Sequence, residues 1–142
     1  MFFKVVTLYL CVGRMLADGP SCQIEGLTPE LRQKIIDYHN SKPLEWDCGL
    51  EQKAYDAISD EGVDYSIAAR VNEYTKLPEG KTKGEEVEEA LDYWLKKDPL
   101  DGRAKMENSE NKKVGCAYKV VEPLVYFVCA YSRRYEAIRY VS

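Results

Sequence analysis

Apolar positions crowd either side of Glu122-Pro123. One run reads Val114-Gly115-Cys116-Ala117-Tyr118-Lys119-Val120-Val121 and the other Leu124-Val125-Tyr126-Phe127-Val128-Cys129-Ala130-Tyr131. β-branched and aromatic runs of this length around a short turn predict an antiparallel hairpin. Folded symmetrically about Glu122-Pro123, the hairpin sets Cys116 opposite Cys129. Opposed residues lie roughly 4.5–5.5 Å apart at Cα, inside the window of about 4.4–6.8 Å that a disulfide tolerates. The register therefore predicts a Cys116–Cys129 bridge.

Upstream the apolar period lengthens to that of a helix. Thr28-Pro29-Glu30 supplies a cap, a first-turn proline and an acid at the positive helix end. Leu31, Ile35, Ile36 and Tyr38 form the stripe of a first helix that stops near Asn40, before Pro43. Asp47 caps a second helix with Leu50, Ala54, Ala57 and Ile58 on its buried face, ended by Asp60-Glu61-Gly62. Val71–Thr75 is a candidate strand and Leu77–Gly84 a loop. Val87, Ala90, Leu91, Trp94 and Leu95 mark the clearest helix, with glutamates at its start, Lys96 and Lys97 at its end, and Pro99 as terminator. The polar stretch from Asp101 to Lys113 is predicted to be a long loop. Helices first and a hairpin last imply an α+β fold, with helices packed on a small antiparallel sheet.

The remaining cysteines change the picture. Five occur in the 142 residues. Cys11 lies in an apolar run, Val5 to Val12, that follows a short basic start and precedes the small residue Ala17. The pattern is that of a secretory signal peptide over residues 1–17, followed by one domain over residues 18–142. The run is too short for a membrane span, which takes about 20 apolar residues. A buried N-terminal strand is the weaker alternative, because a leader and a disulfide framework imply each other. Removal of the leader leaves Cys22, Cys48, Cys116 and Cys129, and with the hairpin pair assigned, Cys22–Cys48 remains. Bridges of this kind place the chain outside the cytosol. A net charge of −4 argues against nucleic acid or anionic membrane as main partners.

Cys22, then Leu27 through Asn40, then Glu45-Trp46-Asp47-Cys48 through Ala54 resembles the first part of a CAP (SCP/TAPS) domain, in particular the activation-associated, venom-allergen-like secreted proteins of parasitic nematodes. Val114-Gly115-Cys116 and Phe127-Val128-Cys129-Ala130-Tyr131-Ser132 resemble its closing strands. The resemblance implies an α-β-α sandwich. It also implies a further bridge, whose two positions are here Glu61 and Val121. It implies a central cleft in which two histidines and two acids hold a divalent metal. Carried over by position, that tetrad falls on Tyr65, Val71, Lys96 and Gly102. His39 is the one histidine of the chain, so no shift of alignment restores the missing imidazoles.

Other chemistry is thin. A catalytic base needs a positioned nucleophile or substrate, and nothing near His39 supplies one. A cysteine nucleophile needs an unbridged thiol. Zinc needs three or four His, Cys or acidic ligands, and Asp60, Glu61 and Asp64 match no calcium-loop spacing. The acids between Glu85 and Glu89 fit either a basic partner or, more simply, a solvated helix face. Trp94 reads as core. Arg133, Arg134 and Tyr135 are either a polar tail or anchors for a partner. The expectation is a secreted, non-catalytic binding or immunomodulatory protein without cofactor, acting on an extracellular protein of a host. A lipid or sterol carrier with an apolar groove is the second expectation. A residual hydrolase built on Glu73, Asp101 or Glu107 is the third.

Overall fold

A computed structural model describes residues 19–39, 44–68, 70–98 and 100–132. The leader, the end of the first helix at Asn40 with Pro43, the terminator Pro99, and Arg133, Arg134 and Tyr135 lie outside them. In chain order the elements are α1 (Pro29–His39), β1 (Glu45–Trp46), α2 (Cys48–Ala57), β2 (Ile58–Ser59), β3 (Gly62–Val63), a 3-10 turn (Tyr65–Ile67), β4 (Arg70–Lys76), α3 (Lys83–Lys96), α4 (Gly102–Glu107), β5 (Lys113–Val121) and β6 (Leu124–Ser132).

The hairpin has the expected register, with Cys116 opposite Cys129 and Val121 opposite Leu124 at the turn. It forms the middle of a four-stranded sheet of order β1-β5-β6-β4. β4 adds antiparallel to β6. β1 adds parallel to β5, so the sheet is mixed at that edge rather than wholly antiparallel. Alternation along β5 and β6 sends two sets of side chains to opposite faces. On one face Val114, Cys116, Phe127, Cys129 and Tyr131 pack with Ile35 of α1, Val87, Leu91 and Trp94 of α3, and Met106 of α4. Trp94 stacks on Phe127 with ring centroids 5.4 Å apart. On the other face Ala117, Tyr126, Val128 and Ala130 pack with Leu50 and Ala54 of α2, and with Ile58 and Val71. The sheet thus lies between helices on both faces. Each large apolar side chain sealed there contributes about 1.5–3 kcal/mol.

The start of α2 lies almost against β5. Asp47 N–H donates to the Val114 carbonyl at 2.8 Å, and a Cβ at Gly115 would meet the Glu51 nitrogen at 2.2 Å. Glycine is needed there for close approach, not for backbone freedom.

Local signals place the helix starts. Leu31 N–H donates to Thr28 Oγ1 at 3.2 Å, and Leu50 N–H to Asp47 Oδ1 at 2.9 Å. α3 starts at Lys83, before the expected end of the loop at Gly84, because Thr82 and Glu85 form a reciprocal capping box. α2 stops at Ala57, earlier than expected, because β-branched Ile58 turns into a two-residue ladder with Val63. Asp60-Glu61 is the connection and Gly62, at φ 108°, takes the positive angle. The predicted Asp101–Lys113 loop is corrected: Gly102–Glu107 is helical. Met106 is fully buried in the core and Arg103 pairs with Glu107 at 3.1 Å, so one apolar anchor and an i,i+4 ion pair hold a turn too short for its period to be read.

Candidate functional site

The four positions that the resemblance assigns to a metal cleft carry no ligand set. Tyr65, on the 3-10 turn, is 57% exposed, and its hydroxyl donates to the Glu73 carboxylate. Burial of the hydroxyl, then the hydrogen bond and negative charge of Glu73, push its pKa up to about 12. Val71 is buried in the α2-side core, where its side chain has nothing to offer an ion. Its carbonyl accepts from Lys105 Nζ at 3.1 Å. Lys96 points into solvent and pairs with Asp92 at 3.3 Å. Gly102 packs so closely that a Cβ would lie 2.4 Å from Asp98 Oδ2 and 3.0 Å from Trp94 Cβ. No imidazole fits at that position in this backbone. Valine, lysine and glycine are not metal ligands of this kind, so these residues do not fit a divalent ion. Among the described residues, no three of His, Cys, Asp and Glu come together as a metal site would require.

Of the carboxylates considered for hydrolysis, Glu73 and Glu107 are engaged separately. Glu73 takes Tyr65 and, at 3.0 Å, Thr75 Oγ1, while Glu107 takes Arg103. Asp101 sits exposed before α4 at φ 69°, a conformation that aspartate tolerates better than most residues. Of the calcium candidates, Asp60 and Glu61 occupy the β2–β3 connection. Asp64 caps the 3-10 turn through Ser66 N–H at 2.9 Å and Ser66 Oγ at 2.6 Å. Those bonds hold its pKa below the usual range. Glu61 and Val121, the positions of the implied further bridge, lie in the β2–β3 connection and at the end of β5.

The acidic run on α3 is largely taken up internally. Glu85 completes the cap. Glu86 is buried and accepts from Tyr118 at 3.2 Å, and Glu88 pairs with Lys34 at 2.7 Å. Glu89 accepts from Lys76 at 2.8 Å, from Lys81, and from Tyr74 at 2.7 Å. The two lysines foremost hold its pKa down at about 2. A basic partner would have to displace these contacts.

His39 is structural. Its Nδ1 lies 2.6 Å from the Ile35 carbonyl, which can only accept, so Nδ1 carries the proton. In the neutral ring Nε2 then accepts from the Tyr131 hydroxyl at 2.7 Å. Asn72 Nδ2 donates to Tyr131 at 3.4 Å and to the Gly102 carbonyl at 3.0 Å. A directed chain thereby ties α1, β6, β4 and the start of α4 through the buried core. Burial lowers the His39 pKa to about 4, against a smaller opposite effect of the Ile35 carbonyl. Burial also pushes the Tyr131 hydroxyl well above its ordinary value.

Sequence reasoning missed a buried ion pair, Arg32–Glu51. The guanidinium donates to both Glu51 oxygens, at 2.7 and 3.1 Å, and to the Pro20 and Ile24 carbonyls, each at 3.2 Å. Arg32, Ile35 and His39 form the innermost row of α1. The available signal was their i, i+3, i+7 spacing, hidden because two of the three are polar. Both disulfides are formed, Cys22–Cys48 with Cα atoms 5.5 Å apart and Cys116–Cys129 at 4.0 Å, closer than the range expected for opposed residues.

Residues 27–131 match the family model of the cysteine-rich secretory protein family, CAP. The chain is 25% identical to the Ancylostoma secreted protein of Ancylostoma caninum over 90% of its own length. It spans 40% of the length of that relative. Among solved structures it resembles NaASP2 with Zn2+, at a TM-score of 0.64 and 18% identity over 79% of this chain and 84% of that one. It resembles the hookworm platelet inhibitor at a TM-score of 0.64 and 20% identity over 79% and 74%. At these identities the likeness to solved structures is one of fold.

Proposed function

The chain belongs to the cysteine-rich secretory protein (CAP) family, and on that premise we propose that it is an exported, non-catalytic binding protein that engages an extracellular host protein and modulates host responses. The observation that carries this reading is the tight packing at Gly102, which leaves no room for a side chain where the family resemblance places a cleft histidine. Tyr65, Val71 and Lys96 add no ligand, and the one histidine of the chain is spent inside the core. The described residues form a crosslinked sandwich, a scaffold suited to presenting surface. A shared fold hosts many functions, so the absent donor set outweighs the likeness. The names of similar proteins, a secreted protein and a platelet inhibitor of hookworm, fit a role outside the cell.

The lipid-carrier alternative gains less support. The grooves beside α1 and α3 are lined by charged side chains and tyrosines, among them Glu30, Lys34, Glu85 and Lys97, rather than by an apolar wall. The test is a binding screen of the folded chain, immobilised, against purified host plasma and cell-surface proteins, with and without EDTA. Saturable binding that EDTA leaves unchanged is expected. Absence of any partner, or turnover of ester, peptide or phosphate substrates by the folded protein, would overturn the reading.

A further inference from the structure

The two bridges sit in opposite surroundings. Cys116 and Cys129 are wholly enclosed by core side chains. Cys48 is exposed at the first position of α2 and Cys22 is half-buried. A shallow groove opens on that bridge, lined by Ser21, Gln23, Ile24, Gly49 and Gln52 along with the two cysteines, and no charged side chain lines it.

We infer that Cys22–Cys48 is a reversible thiol–disulfide exchange site for small thiols, with Cys48 as the leaving sulfur. Exposure admits the attacking thiolate, which the core denies to Cys116–Cys129. Cys48 begins a ten-residue helix, whose first N–H groups and dipole stabilise a departing thiolate. Asp47 spends one oxygen on Leu50 N–H and sets the other 3.4 Å from Lys113 Nζ, which offsets its charge beside the sulfur.

The step balances without an outside oxidant. A small thiol loses its proton to solvent and attacks Cys22 Sγ. The bond from its sulfur to Cys22 forms as the Cys22–Cys48 bond breaks, and the electron pair leaves on Cys48. A second thiolate can then attack the small thiol's sulfur, which releases Cys22 and the oxidised thiol dimer. Two electrons pass from two thiols to the bridge.

Reversibility follows from a second clamp on the same segment. Arg32, held by Glu51, grips the carbonyls of Pro20 and Ile24 on either side of Cys22. Opening the bridge therefore leaves both sulfurs adjacent. The Ser21 carbonyl, 3.4 Å from Cys48 Sγ, is an acceptor for the thiol once it is protonated. The inference does not depend on the binding role proposed above.

The test blocks any pre-existing thiols of the full chain with N-ethylmaleimide and then adds reduced glutathione. Acid-quenched samples are alkylated and mapped by peptide mass spectrometry, with far-UV circular dichroism followed in parallel. Glutathione on Cys22 and alkylation of Cys48 are expected at least about ten-fold ahead of any opening of Cys116–Cys129, with the spectrum unchanged and the bridge re-formed on adding oxidised glutathione. Opening of Cys116–Cys129 first or together with the outer bridge, glutathione mainly on Cys48, or unfolding as the outer bridge opens would each overturn the inference. So would equal glutathione incorporation in the Cys22→Ser/Cys48→Ser variant.

Discussion

The β5–β6 hairpin and the stretch from Tyr65 to Gly102 belong to one core but follow different constraints. In the middle of the hairpin a position is fixed twice, by its partner across the ladder and by the core it faces. Cys116 cannot shift without losing Cys129, and Gly115 cannot enlarge without striking α2. In the Tyr65–Gly102 stretch the four positions that the resemblance assigns to a cleft share no common constraint. They are an exposed tyrosine, a core valine, a solvated lysine and a packed glycine. The hairpin is held by pairing along its length, and the second stretch position by position.

The comparison can be broken most severely at the frame. Arg32→Ala leaves Glu51 buried with no guanidinium, and should cost about 3–5 kcal/mol in denaturant unfolding. A midpoint near that of the parent would show that the clamp contributes little. Cys116→Ala/Cys129→Ala should cost about 2–5 kcal/mol, and an unchanged midpoint would contradict the structural role of the inner bridge.

Acid provides a gentler probe. The His39 pKa is lowered in the folded state to about 4, against about 6.5 in an unfolded chain. The unfolded chain therefore binds the proton first as pH falls. The stability that His39 gives in its neutral form is intact above about pH 6.5, erodes on acidification and is gone below about pH 4. Between pH 6.5 and 5, before most carboxylates titrate, unfolding free energy should drop by about 1.5 kcal/mol. A flat profile over that interval would mean that His39 is not sealed. The smallest effect is expected at Tyr65. Tyr65→Phe removes one exposed hydrogen bond to Glu73 and should shift stability by less than about 1 kcal/mol. A larger loss there would mean that the stretch is constrained after all.

Legibility followed the same division. The hairpin register, the bridge it implies, and the caps at Thr28 and Asp47 were readable because each depends on near neighbours in the chain. The inner row of α1 was not, because Arg32 and His39 look like solvent-facing residues until Glu51 and Tyr131 arrive from elements 19 and 92 positions away. α4 escaped because a single buried methionine carries no period. The parallel edge strand β1 is two residues long and pairs across the whole domain. Where the structure leaves the tetrad positions could be guessed from residue types, but the closure at Gly102 by Asp98 and Trp94 could not.

Calorimetric titration of the folded chain with Zn2+ asks whether Tyr65, Val71, Lys96 and Gly102 surround a divalent-ion site. No saturable heat is expected. Saturable one-to-one binding would contradict that expectation.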